Sequence, residues 1–371
     1  MKIVITGGGT GGHIYPGLSV GLELVENGWD ALYIGSKDGL EKSIIPKTKL
    51  KFESVMVAPL PRKISPVLFS SLIKNSRGFF QARKLMKEFE PDIVLGTGGF
   101  VAGSVVLAAS LMGIPTIIHE QNVYPGITNR LLSRVVDQIA LNFADAREYL
   151  SDRVNNKTVV TGNPIRKVIL NTDKATGIKQ LGLDSAKRTL LVFGGSQGAV
   201  SINQAMTKIY QHVSNNNDIQ LIHLTGKKNY DNMIKSIRKD IGIKITDLDH
   251  IKVMPYLENI EWAYAVADLI IYRAGATGLA EITAKGIPSI LIPYPHAAGN
   301  HQLYNARTMK EHSAGEVIRE EELTAGLLYD KVTKILNNDP LLKKMAKESY
   351  KLGQPEARVK IINQVKNLLN K

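Results

Sequence analysis

Short apolar runs rich in valine and isoleucine recur along the chain, separated by segments of helical length. In the first half they are Ile3–Thr6, Ala31–Ile34, Ile93–Leu95 and Thr116–His119, with Thr158–Val160 at its end. In the second half they are Thr189–Phe193, Gln220–Leu224, Ile251–Met254, Leu269–Tyr272 and Ser289–Ile292. Brief runs with no polar alternation fit strands buried on both faces. Strands that alternate with helices predict crossover units and parallel sheets. The last segment, Glu356–Lys371, places Val359, Ile362, Val365 and Leu369 at helical spacing. It predicts an amphipathic helix docked on one domain.

The two halves repeat one plan. Ile5-Thr6-Gly7-Gly8-Gly9-Thr10-Gly11-Gly12 has a counterpart in Val192-Phe193-Gly194-Gly195-Ser196-Gln197-Gly198-Ala199. Asp92–Leu95 leads to Gly99 as Asp268–Ile271 leads to Gly275, and Gly113–Ile117 matches Gly286–Ile290. Three landmarks in the same order predict two doubly wound α/β domains. The turn-forming cluster Thr161-Gly162-Asn163-Pro164 marks the boundary. The expected domains are residues 1–163, with the terminal helix 356–371 docking there, and residues 164–355.

Length agrees, since 371 residues at about 150 per domain make two or three domains. Apolar residues at 44% and charged residues at 22% exclude disordered and fibrous classes. With no cysteine, disulfides, thiolate metal sites and cysteine nucleophiles are excluded. The uncharged stretch Ile93–Ile118 is long enough to span a bilayer. Gly96, Gly98, Gly99, Gly103, Gly113 and Pro115 break it, so strand, loop, helix and strand fit better, in a soluble chain. The formal charge of +13 reads as solubility, or as a partner that is nucleic acid, an anionic membrane or a phosphate-rich substrate.

Chemistry gathers at strand ends. The loop Gly7–His13 joins a strand to a helix, where bare amides and the helix dipole favour phosphate or developing negative charge. Gly7, Gly9 and Gly12 satisfy the dinucleotide spacing, but the second strand ends Ile34-Gly35-Ser36-Lys37 without the ribose-binding acid. The Gly-Lys-Ser/Thr end of a P-loop is missing as well. His13 heads the first helix, as either a general base or a structural histidine. Gly96–Phe100 and Gly194–Gly198 are further glycine loops, which suits a ligand with two phosphates held between two domains. His119-Glu120-Gln121-Asn122 is either a polar loop or part of the site. In Arg273–Glu281 a strand ends, a glycine turn follows and a helix begins, with Glu281 placed to accept ribose hydroxyls or to favour the helix dipole. Asp247-Leu248-Asp249 has the Asp-x-Asp form of some metal sites but precedes a strand, and no metal is expected.

From Ser54 to Lys87 there is no acidic residue. Arg62, Lys63, Lys74, Arg77, Arg83, Lys84 and Lys87 interleave there with Leu68, Phe69, Leu72, Ile73, Phe79 and Phe80. A helix resting on an anionic membrane would look like this, and so would a core helix with a solvated basic face. No module for nucleic-acid recognition is found.

With these residues in view, the chain resembles the MurG family of bacterial peptidoglycan glycosyltransferases. The likeness covers nearly the whole chain and rests on Thr6–His13, Gly96–Phe100, His119–Asn122, Gly162–Arg166, Gly194–Gly198, Gly275–Glu281 and His301-Gln302. It implies a GT-B fold of two Rossmann-like domains whose parallel sheets face a central cleft. The first domain would bind the acceptor and the membrane, the second UDP-N-acetylglucosamine. The implied reaction is inverting transfer of N-acetylglucosamine to the C4 hydroxyl of undecaprenyl-diphosphate-N-acetylmuramoyl-pentapeptide (lipid I), giving lipid II and UDP. No cofactor is implied.

Carried over by position, His13 would be the base, with Glu120 as rival. Thr10, Gly11 and Gly12 would meet the donor and the reacting diphosphate, and Asn122 the donor sugar. Arg166 and Ser196 would contact the diphosphate, and Leu257 the uracil through its backbone. Ala276, Thr277, Gly278, Leu279, Ala280 and Glu281 would hold sugar, phosphate and ribose, and Gln302 the sugar hydroxyls. Gly98 and Gly99 would face the acceptor. Leu68, Phe69, Leu72, Ile73, Phe79 and Phe80 would touch the membrane. The implied partners are donor, lipid I, the anionic inner leaflet and other cell-wall synthesis or division proteins, without nucleic acid. The implied location is peripheral, on the cytoplasmic face of the cell membrane. Leu257 stands where isoleucine is common, and the loop Pro293–Asn300 departs from many relatives in length and charge. A UDP-N-acetylglucosamine epimerase of similar fold and a non-catalytic nucleotide-sugar-binding module are the alternatives.

Overall fold

The computed structural model describes the chain except Leu60, residues 62–64, Ser196, Asn217, residues 243–247 and Lys371, together with the side chains of Asp240 and Ile241. Ser196, Arg62, Lys63 and Asp247, singled out above, therefore lie outside the described residues. The chain divides into two units, Met1–Ile165 with Gln354–Lys371, and Arg166–Gly353.

In the first unit the strands are β1 (Lys2–Thr6), β2 (Asp30–Ser36), β3 (Lys51–Val55), β4 (Ile93–Gly96), β5 (Thr116–Glu120), β6 (Gln138–Leu141) and β7 (Thr158–Val160). They form one parallel sheet in the order β3-β2-β1-β4-β5-β6-β7. Successive side chains of a strand point to opposite faces. Val4, Ile34, Val94 and Ile118 accordingly enter one core, while Ile3, Ile5, Tyr33, Leu95 and Ile117 enter the core on the other face. That second core also takes Ile361, Ile362 and Val365 from the C-terminal helix Ala357–Leu369. Each such buried side chain contributes about 2 kcal/mol. Val359, expected on the docking face, is instead exposed, because the buried stripe runs through Ile361 and Ile362.

The second unit contains β8 (Arg188–Phe193), β9 (Ile219–Leu224), β10 (Ile251–Met254), β11 (Leu269–Tyr272), β12 (Ser289–Leu291) and β13 (Gly315–Val317). Its parallel sheet has the order β10-β9-β8-β11-β12-β13. Leu190, Val192, Leu221 and Ile271 face one core, and Leu191, Phe193, Ile222 and Tyr272 the other.

Both sheets are Rossmann sheets, with the strand order reversing beside β1 and β8. The three repeated sequence landmarks fall on β1 and β8, β4 and β11, and β5 and β12, which hold equivalent places in the two sheets. Ligands of such sheets bind outside the strand C-termini at that reversal.

The acid-free segment forms the helix Pro66–Phe89, with Pro66 at its first turn where a missing N–H costs nothing. Ser71, Gly78, Ala82 and Met86 face inward. Val67, Phe69, Leu72, Ile73 and Phe80 are exposed. Phe79 departs from the expected surface set: its place on the helix turns it onto the sheet core, and Leu68 is half-buried.

Candidate functional site

In the first unit, the loops after β1, β4 and β5 meet at the strand-order reversal. The loop after β1 enters the helix Gly11–Glu26 at Thr10, which has extended backbone and no side-chain cap. The first amides of a helix lack intrahelical partners. Two of the amides earlier in the glycine loop are already used. Gly8 N–H donates to Gly98 O (3.3 Å), and Gly9 N–H to Glu41 Oε2 (3.3 Å). The amides of Gly11 and Gly12 open the helix, where no intrahelical acceptor is available to them.

Glu41 is a residue that sequence reasoning misses. Its fully buried carboxylate accepts from Ser36 N–H (2.8 Å) and the Ser36 hydroxyl (2.6 Å), at the end of β2. That is the place where a dinucleotide's ribose would meet its acid. Glu41 fills it from within the chain and braces the glycine loop through Gly9 N–H. The only signal in the sequence is a glutamate five residues beyond the strand end.

His13 sits in the first turn of the helix Gly11–Glu26, half-buried. Its Nδ1 faces two oxygens, Thr97 O and Gln121 Oε1, each at 3.1 Å. Both are acceptors, so of the two neutral tautomers the one with the proton on Nδ1 and the lone pair on Nε2 fits this pair of contacts. Thr97 Oγ1 donates to the His13 carbonyl (2.7 Å), joining the β4 loop to this helix. Gly98 has φ of +99°, and a Cβ there would lie 2.8 Å from His13 Nδ1. Gly99 packs against the Gly8 carbonyl. Glycine at both positions lets the second loop close on the first.

His119 is fully buried, and its Nε2–H donates to Gly162 O (2.9 Å). Gln121 Nε2 donates to His119 Nδ1 (3.0 Å) and to Thr97 O (2.8 Å). Burial pulls the His119 pKa down to about 4, with nearby His13 acting the same way and the Gly162 bond opposing. His119 is therefore neutral at ordinary pH.

Glu120 is also buried, but as an anchor. Oε1 accepts from Asn122 N–H (3.0 Å) and Asn122 Nδ2 (3.2 Å), and Oε2 from Gly126 N–H (3.0 Å) and Asn129 Nδ2 (2.8 Å). A carboxylate offers about four acceptor sites, and these four donors fill them.

In the second unit, the loop after β11 carries Ala274 at φ +64°, an uncommon conformation for a non-glycine residue. Asn305 Nδ2 holds it by donating to Ala274 O (3.2 Å). The helix Ala276–Ala284 begins two residues later. The Tyr272 hydroxyl lies against the backbone of Gly275 and Gly278 at the start of this helix. Side chains at Gly275 or Gly278 would collide with that hydroxyl. The Thr277 hydroxyl oxygen is buried without a hydrogen-bond partner, at the end of the helix whose dipole favours negative charge.

Glu281 lies on the second turn of this helix, 8% exposed at its side chain, and Oε1 pairs with Arg166 (3.2 Å). Burial holds its carboxyl above the usual range, with Arg166 and Tyr264 pulling it back. Leu279 is buried in the core, so it offers a ligand only its backbone. Ala280, the next residue, is buried as well. Leu257 is half-buried against the same core. Gln302 Oε1 accepts from Tyr294 N–H (2.8 Å), which leaves its NH₂ to read a hydroxyl. Among the described residues no cluster of three or more histidine or acidic side chains is arranged to hold a metal.

The sequence matches the models of the glycosyltransferase family 28 N-terminal domain over residues 3–141 and C-terminal domain over residues 189–365. Two Rossmann-like domains make up the GT-B architecture, and these two family models make the chain a glycosyltransferase. It is 53% identical over 367 residues to the UDP-N-acetylglucosamine–N-acetylmuramyl-(pentapeptide) pyrophosphoryl-undecaprenol N-acetylglucosamine transferase of Halothermothrix orenii, covering 99% of both chains. With the enzyme of that name from Desulforamulus reducens it shares 44% over 371 residues, covering 100% of this chain and 99% of the other. The crystal structure of Acinetobacter baumannii MurG superposes with a TM-score of 0.79 at 27% identity, over 99% of each chain. The chain belongs to this family of N-acetylglucosamine transferases. A UDP-N-acetylglucosamine 2-epimerase from Neisseria meningitidis shares the fold at a TM-score of 0.71 and 14% identity, over 99% of this chain and 100% of the other.

Proposed function

We propose that the chain transfers N-acetylglucosamine from UDP-N-acetylglucosamine to the C4 hydroxyl of lipid I, forming lipid II and UDP. The observation that carries this reading is the 53% identity, end to end, with a transferase of that activity. His13 makes the chemistry workable, because its Nε2 lone pair is the one available to a substrate hydroxyl. The acceptor oxygen gives its proton to Nε2 and attacks the anomeric carbon as the bond to the UDP β-phosphate breaks. The configuration inverts, and UDP leaves with the bonding pair. Glu120, its acceptor sites filled, positions the Asn122–Asn129 loop and is not the base.

In the second unit, the amides of Ala276 and Thr277 and the Thr277 hydroxyl stabilise the departing diphosphate, with Arg166 and Ser196 adding to it. Glu281 accepts the ribose hydroxyls, the Leu257 backbone meets the uracil, and Gln302 reads the sugar. Thr10, Gly11, Gly12 and Asn122 serve the reacting end of the donor, and Gly98 and Gly99 the acceptor.

The chain acts at the inner leaflet of the cell membrane. No described helix is long and apolar enough to cross a membrane. The exposed Val67, Phe69, Leu72, Ile73 and Phe80 share their helix with exposed Lys74, Arg77, Arg83, Lys84 and Lys87. Leu107, Leu111, Ile127, Leu131 and Val135 extend the apolar surface of this unit. Each basic residue near an anionic surface contributes about 1 kcal/mol.

The test is acceptor dependence. UDP release should require a lipid I analogue and should persist with chelator. Release without acceptor would favour the epimerase reading, and saturable donor binding without turnover the non-catalytic one.

A further inference from the structure

We propose that Gln121 and His119 are positioning residues that fix the tautomer of His13, with the proton on Nδ1 and the lone pair on Nε2. The proposal deepens the reading of His13 as the base and rests on it.

The order runs through four groups. Gly162 O can only accept, so His119 Nε2 carries a proton. His119 is neutral, so its Nδ1 has none and accepts from Gln121 Nε2. Gln121 Nε2 also lies within hydrogen-bond distance of Thr97 O (2.8 Å) and His119 O (3.2 Å), both acceptors. Gln121 Oε1 is thereby turned to His13 Nδ1, where Thr97 O is the second acceptor. Reversing the Gln121 amide would set its oxygen against Thr97 O, His119 O and His119 Nδ1, three acceptors, and lose these bonds. Each group satisfies the next, so the orientation set at the Gly162 peptide reaches the reacting ring. Gly162 also has φ of +82° and sits beside Gln354, where the chain re-enters the first unit. A side chain at Gly162 would collide with Gln354 and shift the carbonyl that starts the series.

The experiment is nitrogen NMR of the full-length chain labelled with ¹⁵N-histidine, at a pH where imidazole is neutral. The His13 resonances are assigned by their loss in His13→Gln. The expected wild-type spectrum has protonated Nδ1 and unprotonated Nε2, and Gln121→Leu or His119→Leu should give an averaged or reversed pair. His119→Asn, which places an acceptor oxygen where Nδ1 stood, should restore the wild-type pattern. Turnover should fall about tenfold or more in the leucine variants, a part of the 10²–10⁴ that a general base supplies, with donor KM unchanged. A wild-type ring protonated on Nε2, or averaged, overturns the proposal, and this arm needs no variant to fold. So does an unchanged His13 pattern in Gln121→Leu. A tautomer lost without loss of turnover would keep the positioning role and overturn His13 as the base.

Discussion

Acidification should destabilise the first unit through one residue, His119. Its pKa falls from 6.5 to about 4 on folding, chiefly because burial disfavours the charged ring. The folded state binds the proton less readily than the unfolded chain, so stability rises with pH across that window. The His119 contribution is complete above about pH 6.5 and is lost as pH falls towards 4. At pH 5 the gap is about 1.5 units below the unfolded value, or roughly 2 kcal/mol at 1.36 kcal/mol per unit. The chain has two tryptophans, Trp29 in the first unit and Trp262 in the second. In a Trp262→Phe background, Trp29 fluorescence follows urea unfolding of the first unit alone. Stability at pH 7 minus that at pH 5 should be larger by about 2 kcal/mol with His119 than with His119→Asn. Carboxylates that titrate in both proteins cancel in this difference. Equal pH dependence, within about 0.5 kcal/mol, would refute the buried neutral histidine.

The other predictions concern ligands and the loops that meet them. Glu281→Gln should raise donor KM about ten- to a hundredfold by weakening charge-assisted bonds to ribose, with less effect on turnover. Because burial raises the Glu281 carboxyl, wild-type donor KM should climb as pH falls while still above the ordinary carboxylate range. Gly98→Ala should cost about 1–3 kcal/mol in a urea melt, since its backbone region is essentially restricted to glycine. It should also lower turnover more than donor affinity, because the new Cβ crowds His13. Phe69→Asp with Phe80→Asp should abolish sedimentation with anionic vesicles while leaving donor binding intact in solution.

The central strands are legible in the sequence because parallel strands covered on both faces carry uninterrupted apolar residues, as in Ile93–Leu95 and Leu269–Tyr272. β3 is not, because as an edge strand its Lys51, Glu53 and Ser54 face solvent. β6 (Gln-Ile-Ala-Leu) and β13 (Gly-Glu-Val) are not legible either, because Gln138 and Glu316 interrupt runs of only four and three residues. At the site, the glycine loops and His13 stand out because their chemistry is local in sequence. The Glu41 plug and the order from Gly162 through His119 and Gln121 to His13 join residues far apart in the chain, which spacing cannot reveal. Phe79 and Phe80 are adjacent and both aromatic, and only the helix's seating on the sheet separates the buried one from the exposed one.

The most direct measurement is the structure and rate of the product formed from UDP-N-acetylglucosamine and a lipid I analogue, with chelator present, by wild type and His13→Ala. The account predicts a β-1,4-linked disaccharide with one UDP per sugar transferred, and turnover about 10²–10⁴ lower without His13 at unchanged donor affinity. An α-linked product, or undiminished turnover in His13→Ala, would contradict it.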